Sequence, residues 1–202
     1  MSAGPGIVGV GETPALRHPE PGCDTATLIA RAVRLALDDA ALRPADVDGL
    51  GLASFTLRPD RAIDMAWRLG LTLGWCMQDE MGGASAINML RHAWLALRAG
   101  QARAIVLVAG DHFAGADFAA LVGRYNRSAQ DYLSPLGCVG PNPLFAMLTQ
   151  RQMARTGLRR EDYGALCVAQ RAWAGANPNA AYRQPLTLAQ YLEAPMVAEP
   201  LG

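Results

Sequence analysis

The chain has 202 residues, of which 51% are hydrophobic and 18% charged, and its formal net charge is +0. This composition is typical of a globular protein with one large domain or two small ones, and it gives no reason to expect nucleic acid as a partner. All 18 basic residues are arginines, which excludes a lysine Schiff base. The four cysteines show no paired spacing, so we expect neither a disulfide nor a metal site.

The N-terminal stretch MSAGPGIVGVGETP lacks the basic segment and the apolar core of a signal peptide. No apolar run in the sequence is long enough to cross a bilayer. Because the cysteines show no paired spacing, we expect a protein of the reducing cytoplasm.

The first half of the chain alternates strand and helix patterns. Strands are predicted at 7–10, 49–55, 75–80 and 104–109, with helices at 25–42, around 63–69 and at 84–99. Asp24 can cap the first helix, and Pro44 follows its end. This alternation predicts an α/β fold with a parallel sheet and right-handed crossovers. The unbroken apolar run at 105–108 is typical of a strand that is buried on both faces.

The helix at 84–99 is apolar on nearly every side, with Asn88, Arg91, His92 and Arg98 as its polar residues. A helix of this kind must be covered on most sides. We therefore place it in the middle layer of a multilayer α/β fold, after a tight turn at 81–83. If one side faced water, the exposed side chains would cost on the order of several kcal/mol, and the patch would favour association.

The second half of the chain has a different pattern. The stretch from 112 to 142 has weak periodicity and is interpreted as an excursion over a surface. Helices are predicted at 143–155 and 160–174, a turn-rich loop at 177–187, and a short helical turn at 188–192.

Four segments resemble the thiolase superfamily. They are MGGAS at 81–85, HAWLALRAGQARAIVLVAGD at 92–111, PLFAMLTQRQMARTG at 143–157 and ANPNAAYRQPLTLAQYLEAPMVAEPL at 176–201. The sequence is similar to sterol-carrier-protein-type thiolases and to the thiolase-like aldolases that cleave steroid side chains as CoA thioesters.

The resemblance implies a thiolase-like layered α/β fold, with the first βαβαβαβ repeat at 1–113 and an α-rich loop domain facing acyl-CoA at 114–202. Family members are about twice this length, so the resemblance covers their first repeat and inserted loop domain. We expect the second repeat to come from a longer chain, which the abrupt end of the sequence favours, or from another subunit.

Met81 aligns with the nucleophilic cysteine of thiolases. A thioether cannot be deprotonated to a nucleophile, which excludes acyl-enzyme chemistry at this position. The resemblance then implies that carbon–carbon bonds are cleaved or formed by aldol chemistry, in the context of lipid metabolism. The other catalytic motifs of the family lie in the second repeat and are not assigned to this chain.

An aldol reaction needs donors that stabilise a thioester enolate. Unpaired backbone N–H groups at a helix N-terminus suit this task, and Gly82 and Gly83 would let a thioester approach closely because they lack a Cβ atom. The alternative is that the two glycines only permit a tight turn. Ser85, in the first helical turn, is favoured as a capping hydroxyl over a catalytic one.

The reaction also needs a base. His112 follows a strand end, where ligands collect in parallel sheets, and is a candidate. Asp79 and Glu80 could act together as general bases, although ion pairs with arginines at a subunit boundary are favoured. Cys76 would be the displaced nucleophile of an ordinary acyl-CoA acyltransferase, but a buried apolar role is favoured for it.

The loop domain of thiolases binds CoA, and the resemblance implies this role for 171–183. Arg183, Tyr182 and Asn179, with Arg171 and Asn177, could contact the CoA phosphates, and a solvated loop is the alternative. CoA is expected as part of the substrate, without a permanently bound cofactor.

The resemblance also implies partners. Thiolases pair the strand before the elbow with its symmetry mate, so we expect a homodimer with a twofold contact at 75–80. A second thiolase half, or a small protein with a zinc ribbon and an OB fold, is a possible partner. Three hypotheses are ranked: half of an aldolase, a non-catalytic subunit that binds acyl-CoA, and an ordinary thiolase.

Overall fold

The computed structural model describes residues 4–15, 21–57, 60–113, 115–123 and 127–202. The chain divides into two compact units, Met1–His112 and Phe113–Gly202, next to the boundary at 113/114 predicted from sequence. Among the described residues, no helix is long and apolar enough to cross a membrane.

The first unit is an α/β structure. Its elements in chain order are α1 (Thr25–Asp39), β1 (Gly49–Ala53), α2 (Arg61–Leu69), β2 (Trp75–Asp79), α3 (Ser85–Arg98) and β3 (Ile105–Ala109). The described strands form a parallel sheet in the order β2-β1-β3. Ala53 is level with both Asp79 and Ala109 in the sheet, so the carboxyl ends of the three strands lie side by side. The predicted parallel α/β fold is confirmed.

The two faces of the sheet carry different helices, because side chains alternate along a strand. Leu50 and Leu52 pack in the main hydrophobic core with residues of α1 and α2. Gly51 faces α3, and a Cβ atom added there would lie 3.4 Å from the sulfur of Met89. The unit therefore has three layers: α1 with α2, the sheet, and α3.

Helix ends follow the predicted signals in part. The Asp24 carboxylate caps α1 by accepting from the Thr27 N–H at 2.7 Å, and α2 ends at Gly70 with φ +67°. The first helix stops before its predicted end, because Ala41 adopts a positive φ of 53°. The chain then forms a short 3₁₀ turn at Pro44–Asp46.

The strand predicted at 7–10 is wrong. Residues 4–15 form neither helix nor strand, and the side chains of Ile7, Val8 and Val10 are exposed. The segment instead lies against α1: a Cβ atom on Gly9 would lie 2.4 Å from the Ala36 carbonyl oxygen, and the Val10 N–H donates to the Asp39 carboxylate. No described strand pairs with this segment, so its apolar pattern does not produce a strand.

Burial of β3 on both faces is also wrong. Ile105, Val106 and Leu107 are only half-buried, because β3 is an outer strand of the described sheet and pairs with β1 alone. The strand predicted at 49–55 ends at Ala53, since the Ser54 hydroxyl turns to donate to Asp111 at 2.8 Å.

The second unit is helical. It contains α4 (Gly115–Gly123), α5 (Pro141–Thr156), α6 (Arg160–Ala176) and α7 (Leu188–Glu193). The described residues of the stretch at 112–142 are exposed or half-buried, as predicted for an excursion over a surface. The stretch contains helical structure that was not predicted: α4, a π turn at Ala129–Leu133 and a 3₁₀ turn at Ser134–Leu136. No residue of α4 is buried, which explains why its sequence carries no amphipathic signal.

The C-terminal segment packs on α6 through one arginine. The Arg160 guanidinium donates to the carbonyl oxygens of Leu192 at 2.7 Å and Tyr191 at 3.2 Å, and lies over the Tyr191 ring. A Cβ atom on Gly164 would lie 2.5 Å from Leu188, so a glycine is needed where α7 crosses α6.

Candidate active site at the elbow

The elbow, residues 81–85, connects β2 to α3 through a 3₁₀ turn at Gly82–Ala84. Gly82 has φ +59°, in the left-handed region that favours glycine. A Cβ atom added to Gly83 would meet no atom within 4 Å. The fold of this unit therefore requires glycine at 82, whereas nothing in its own packing requires glycine at 83.

The backbone N–H groups of the elbow fall into two sets. The Met81 N–H donates to Asp79 at 2.8 Å, the Ala84 N–H to the Met81 carbonyl at 3.3 Å, and the Ser85 N–H to the Gly82 carbonyl. The N–H groups of Gly82 and Gly83 donate to no atom in the described parts of the chain. Two adjacent unpaired donors before a helix can stabilise a developing negative charge.

Asp79 is the polar centre beneath the elbow and is only 4% exposed. Besides the Met81 N–H, its carboxylate accepts from the Ser85 hydroxyl at 2.7 Å and from the Asn88 amide. The Ser85 hydroxyl is the main cause that lowers the pKa of Asp79, followed by the Met81 N–H, Asn88 and the charge of His92. A carboxylate stabilised in this way is a weak base.

The elbow residues differ in the solvent exposure of their side chains. The Met81 side chain is 64% exposed, whereas Ser85 is 2% exposed. The Ser85 hydroxyl donates to Asp79 and makes no capping bond, and Ala84 is the N-cap of α3. The expected capping role of Ser85 is therefore wrong: its hydroxyl ties the helix to the end of β2.

Glu80 forms an ion pair with Arg61 at the start of α2. The Arg61 side chain is buried and the Glu80 side chain is exposed. The expected arginine pairing thus holds for Glu80 within the chain, while the donors to Asp79 are neutral groups. The pair joins the start of α2 to the residue that precedes the elbow.

A second polar cluster lies at the end of β3. One carboxylate oxygen of Asp111 accepts from the Ser54 hydroxyl, the Phe55 N–H, the Thr56 N–H and the Thr56 hydroxyl at 2.8–2.9 Å. This oxygen fixes the chain that follows β1 against the chain that follows β3.

His112 is placed by the same cluster. Its backbone N–H donates to the Thr25 hydroxyl at 3.1 Å, and that hydroxyl lies 2.6 Å from the hydroxyl of Thr56. Since Thr56 donates its proton to Asp111, Thr25 must donate to Thr56. The His112 side chain is half-buried at the edge of the sheet where the elbow also lies. The elbow follows β2 and His112 follows β3, and the ends of these two outer strands are about 10 Å apart at typical strand spacing.

The candidate CoA residues lie in the second unit. The Arg171 guanidinium lies 5.6 Å from the centre of the Tyr182 ring and donates to the Gln184 carbonyl, and the Asn177 side chain accepts from the Asn179 N–H at 2.9 Å. Arg183 and Tyr182 are exposed and Asn179 is half-buried. Arg171 and Asn177 therefore have structural bonds that the sequence did not reveal.

Sequence reasoning missed the role of Asp79 with Ser85 and Asn88. A signal exists in the spacing: Ser85 and Asn88 are three residues apart and share a helix face, and the aspartate ends the preceding strand. Asp111 carried no comparable signal, because its donors come from a segment more than fifty residues away.

No family model matches the chain. The 17-hydroxy-3-oxo-4-pregnene-20-carboxyl-CoA lyase of Mycobacterium tuberculosis is 32% identical over the whole chain, which spans 53% of that protein. The steroid side-chain-cleaving aldolase of Thermomonospora curvata is 31% identical over the whole chain, which spans 54% of it. The chain thus spans about half the length of the curated relatives that it matches.

Two solved structures share the fold. The Ltp2-ChsH2(DUF35) aldolase is 31% identical with a TM-score of 0.75, over 96% of this chain and 50% of that one. A monomeric SCP2-thiolase-like protein from Mycobacterium smegmatis has a TM-score of 0.67 at 18% identity, over 94% of this chain and 39% of that one. The fold is therefore thiolase-like. One of these relatives is named as a steroid side-chain-cleaving aldolase and one of these structures as an aldolase, and the predicted resemblance is confirmed.

Proposed function

We propose that this protein is part of a thiolase-like enzyme that cleaves or forms a carbon–carbon bond in an acyl-CoA thioester by aldol chemistry. The observation that carries the proposal is the elbow: Met81, which the resemblance aligns with the family nucleophile, is exposed, and it lies beside the N–H groups of Gly82 and Gly83, which are unpaired among the described residues. The similarity to lyases and aldolases supports the same chemistry.

In the cleavage direction, a base removes the proton of the β-hydroxyl group and the bond between Cα and Cβ breaks. Its electron pair passes to the thioester as an enolate, and the carbonyl product leaves. The N–H groups of Gly82 and Gly83 would donate to the enolate oxygen, which is later discharged when Cα takes a proton.

The base is not one of the elbow carboxylates. Asp79 already accepts from several donors, and Glu80 is paired with Arg61. We assign His112 as a candidate acid–base group at the same edge of the sheet, and we expect further acid–base groups from a second thiolase half.

The substrate class follows from the relatives. One of them is named for a steroid carboxyl-CoA and the other for a steroid side chain. A β-hydroxyacyl-CoA with a bulky, steroid-like acyl group is therefore the first substrate to test.

The test is release of a ketone or aldehyde from such a thioester by the full protein with its natural partners. Activity should survive iodoacetamide, because no cysteine takes part, whereas loss of activity on alkylation would favour an ordinary thiolase using Cys76.

Gly83→Ala should fold normally yet lose activity about 10- to 100-fold, because the added methyl group would keep a thioester from the backbone. An active, stable Gly83→Ala variant would remove the elbow from the site.

The CoA site is proposed in the second unit, at Arg183, Tyr182 and Asn179. Arg183→Ala should weaken CoA binding about 5- to 50-fold, since a charge-assisted phosphate contact is lost. Arg155→Ala, another exposed arginine of this unit, is the matched control. Equal affinity of both variants would remove Arg183 from the site.

We also propose a homodimer through the strand at 75–80. Support comes from β2, an outer strand of the described sheet, and from Ile63 and Trp67, which lie exposed on the neighbouring helix α2. Cys76→Lys would place a charge on this edge and should shift the protein to a monomer in light scattering.

A partner protein is proposed as well, since one structural neighbour is the Ltp2-ChsH2(DUF35) aldolase.

The alternative is a non-catalytic subunit that binds acyl-CoA. It is favoured by the elbow carboxylates, neither of which is poised as a base. Binding of CoA without turnover, in every combination with partner proteins, would support this alternative.

A further inference from the structure

We propose that Asp79 is a positioning residue of the elbow: it holds Met81, Ser85 and Asn88 so that the N–H groups of Gly82 and Gly83 stay unpaired and available to a thioester oxygen. The inference rests on the proposed function, because it assigns a purpose to the unpaired pair. Asp79 itself is buried below the turn and does not contact the substrate in this scheme.

The hydrogen bonds of Asp79 reach both ends of the elbow. The Met81 N–H, at 2.8 Å, precedes the two glycines, and the Ser85 hydroxyl, at 2.7 Å, follows them. The Asn88 amide adds a contact one helical turn further along α3. The carboxylate therefore closes a ring around Gly82 and Gly83 and fixes where the turn begins and where it ends.

This ring also determines which donors are left over. A helix start has several N–H groups without partners in the helix. Asp79 takes that of Met81, and the turn itself uses those of Ala84 and Ser85. The two glycine donors are the remainder, at the position where the absence of side chains allows a ligand to approach.

A purely structural role for Asp79 would predict a different result from a positioning role. The first requires that loss of the carboxylate lowers the stability of the whole unit, without a specific effect on the glycine N–H groups. The second requires that these two groups change their environment even where the protein remains folded.

The sequence allows both groups to be observed individually. Met81-Gly82 is the only Met-Gly step and Gly82-Gly83 the only Gly-Gly step in the chain. Labelling methionine carbonyl carbon with glycine nitrogen selects the Gly82 signal, and labelling glycine in both atoms selects that of Gly83. Spectra of the full protein then report on the elbow without any assay of activity.

The decisive variants are Asp79→Ala and Asp79→Asn. Asp79→Ala should displace both glycine signals and make the Met81 N–H exchange at least about tenfold faster, because its acceptor is gone. Asp79→Asn keeps an acceptor oxygen for Met81 and Ser85, and Asn88 can rotate its amide to accept. It should therefore retain the wild-type glycine signals.

Asp48→Ala is the matched control. Asp48 also accepts several hydrogen bonds, from the N–H groups of Arg103 and Ala104 and from the Arg103 side chain, but it lies before β1 at the opposite end of the sheet. Its loss should leave the glycine signals in place.

A folded Asp79→Ala protein with unchanged Gly82 and Gly83 signals would overturn the proposal, as would an Asp79→Asn protein that behaves like Asp79→Ala. The proposed function has a separate test, in which acetyl-CoA or a β-hydroxyacyl-CoA is added to the wild-type protein. If neither compound shifts the Gly82 and Gly83 signals, the proposed function fails. If Asp79→Ala is too unstable to study, Ser85→Ala, which removes one bond of the ring, should move the Gly83 signal, and its failure to do so would also overturn the proposal.

Discussion

Helices α1 and α3 pack on opposite faces of the same sheet, but only α1 has a polar outer surface. Ile29, Val33 and Leu37 of α1 are buried, and Leu35 is its one large apolar residue with an exposed side chain. In α3 the side facing the sheet is filled by small residues and Met89, while four large apolar side chains on other sides are exposed: Ile87, Leu90, Trp94 and Leu95.

The apolar outer side of α3 supports the proposed second half or subunit as a cover for this helix, whereas α1 needs no such cover. Full burial of a large apolar side chain contributes about 1.5–3 kcal/mol, so covering the four residues of α3 would contribute several kcal/mol. The elbow lies at the start of this helix. In the proposed function, a second thiolase half or subunit that covers α3 would therefore also lie next to the elbow.

The largest effect on stability is expected from truncating a buried core side chain of α1. Ile29→Ala should lower the free energy of unfolding by about 2–5 kcal/mol, because Ile29 is 1% exposed in the main core. The same substitution on α3, Ile87→Ala, should change it by less than about 0.5 kcal/mol in this chain alone. Urea denaturation of both variants checks the contrast, and equal losses would show that α3 is covered without a partner.

The next effect concerns the two aspartates that precede these helices. Asp79→Ala should destabilise the first unit by about 2–3 kcal/mol, since buried hydrogen-bond donors lose their acceptor. Thermal unfolding followed by circular dichroism measures the loss. A loss no larger than that of Asp24→Ala would contradict the special role of the Asp79 cluster.

Asp24→Ala should cost about 1 kcal/mol, the usual contribution of an N-cap carboxylate to a helix. Asp24→Asn should recover most of the loss, because the amide oxygen can still accept from the Thr27 N–H. Thermal unfolding followed by circular dichroism measures this loss as well. A fully stable Asp24→Ala protein would show that the Asp24 cap does not stabilise α1.

A smaller effect is expected from pH. The Thr27 hydrogen bonds lower the pKa of Asp24, and the Ser85 hydroxyl is the main cause that lowers the pKa of Asp79, both from an ordinary value of 3.8. A lowered pKa in the folded state means that stability is present above about pH 3.8 and is lost as the pH falls through the folded-state pKa. Acid titration should therefore destabilise the wild type more than Asp79→Ala, and identical acid profiles would contradict this assignment.

Local signals in the sequence were enough to predict much of the fold. The Asp24 cap, the helix predicted at 143–155, and the alternation of strands and helices each depend on neighbouring residues. The strand at 7–10 failed because a strand needs a partner, and pairing is not encoded within the segment. Helix α4 was missed since it has no buried face to produce a pattern.

The candidate site was predicted by position and not by bonding. The sequence placed Met81, Gly82, Gly83 and His112 beyond strand ends, where the structure also has them. It did not predict that Ser85 is buried on Asp79, nor that Thr25 and Thr56 connect His112 to Asp111, because these bonds join residues from separate elements.

The most direct test of the central claim compares two leucines with the same exposure in this chain, Leu35 on α1 at 45% and Leu95 on α3 at 46%. Hydroxyl-radical footprinting of the catalytically active assembly measures how much of each side chain reaches water. We expect Leu35 to remain reactive while Leu95 is protected by a covering half or subunit. Equal oxidation of the two leucines in an active assembly would contradict it.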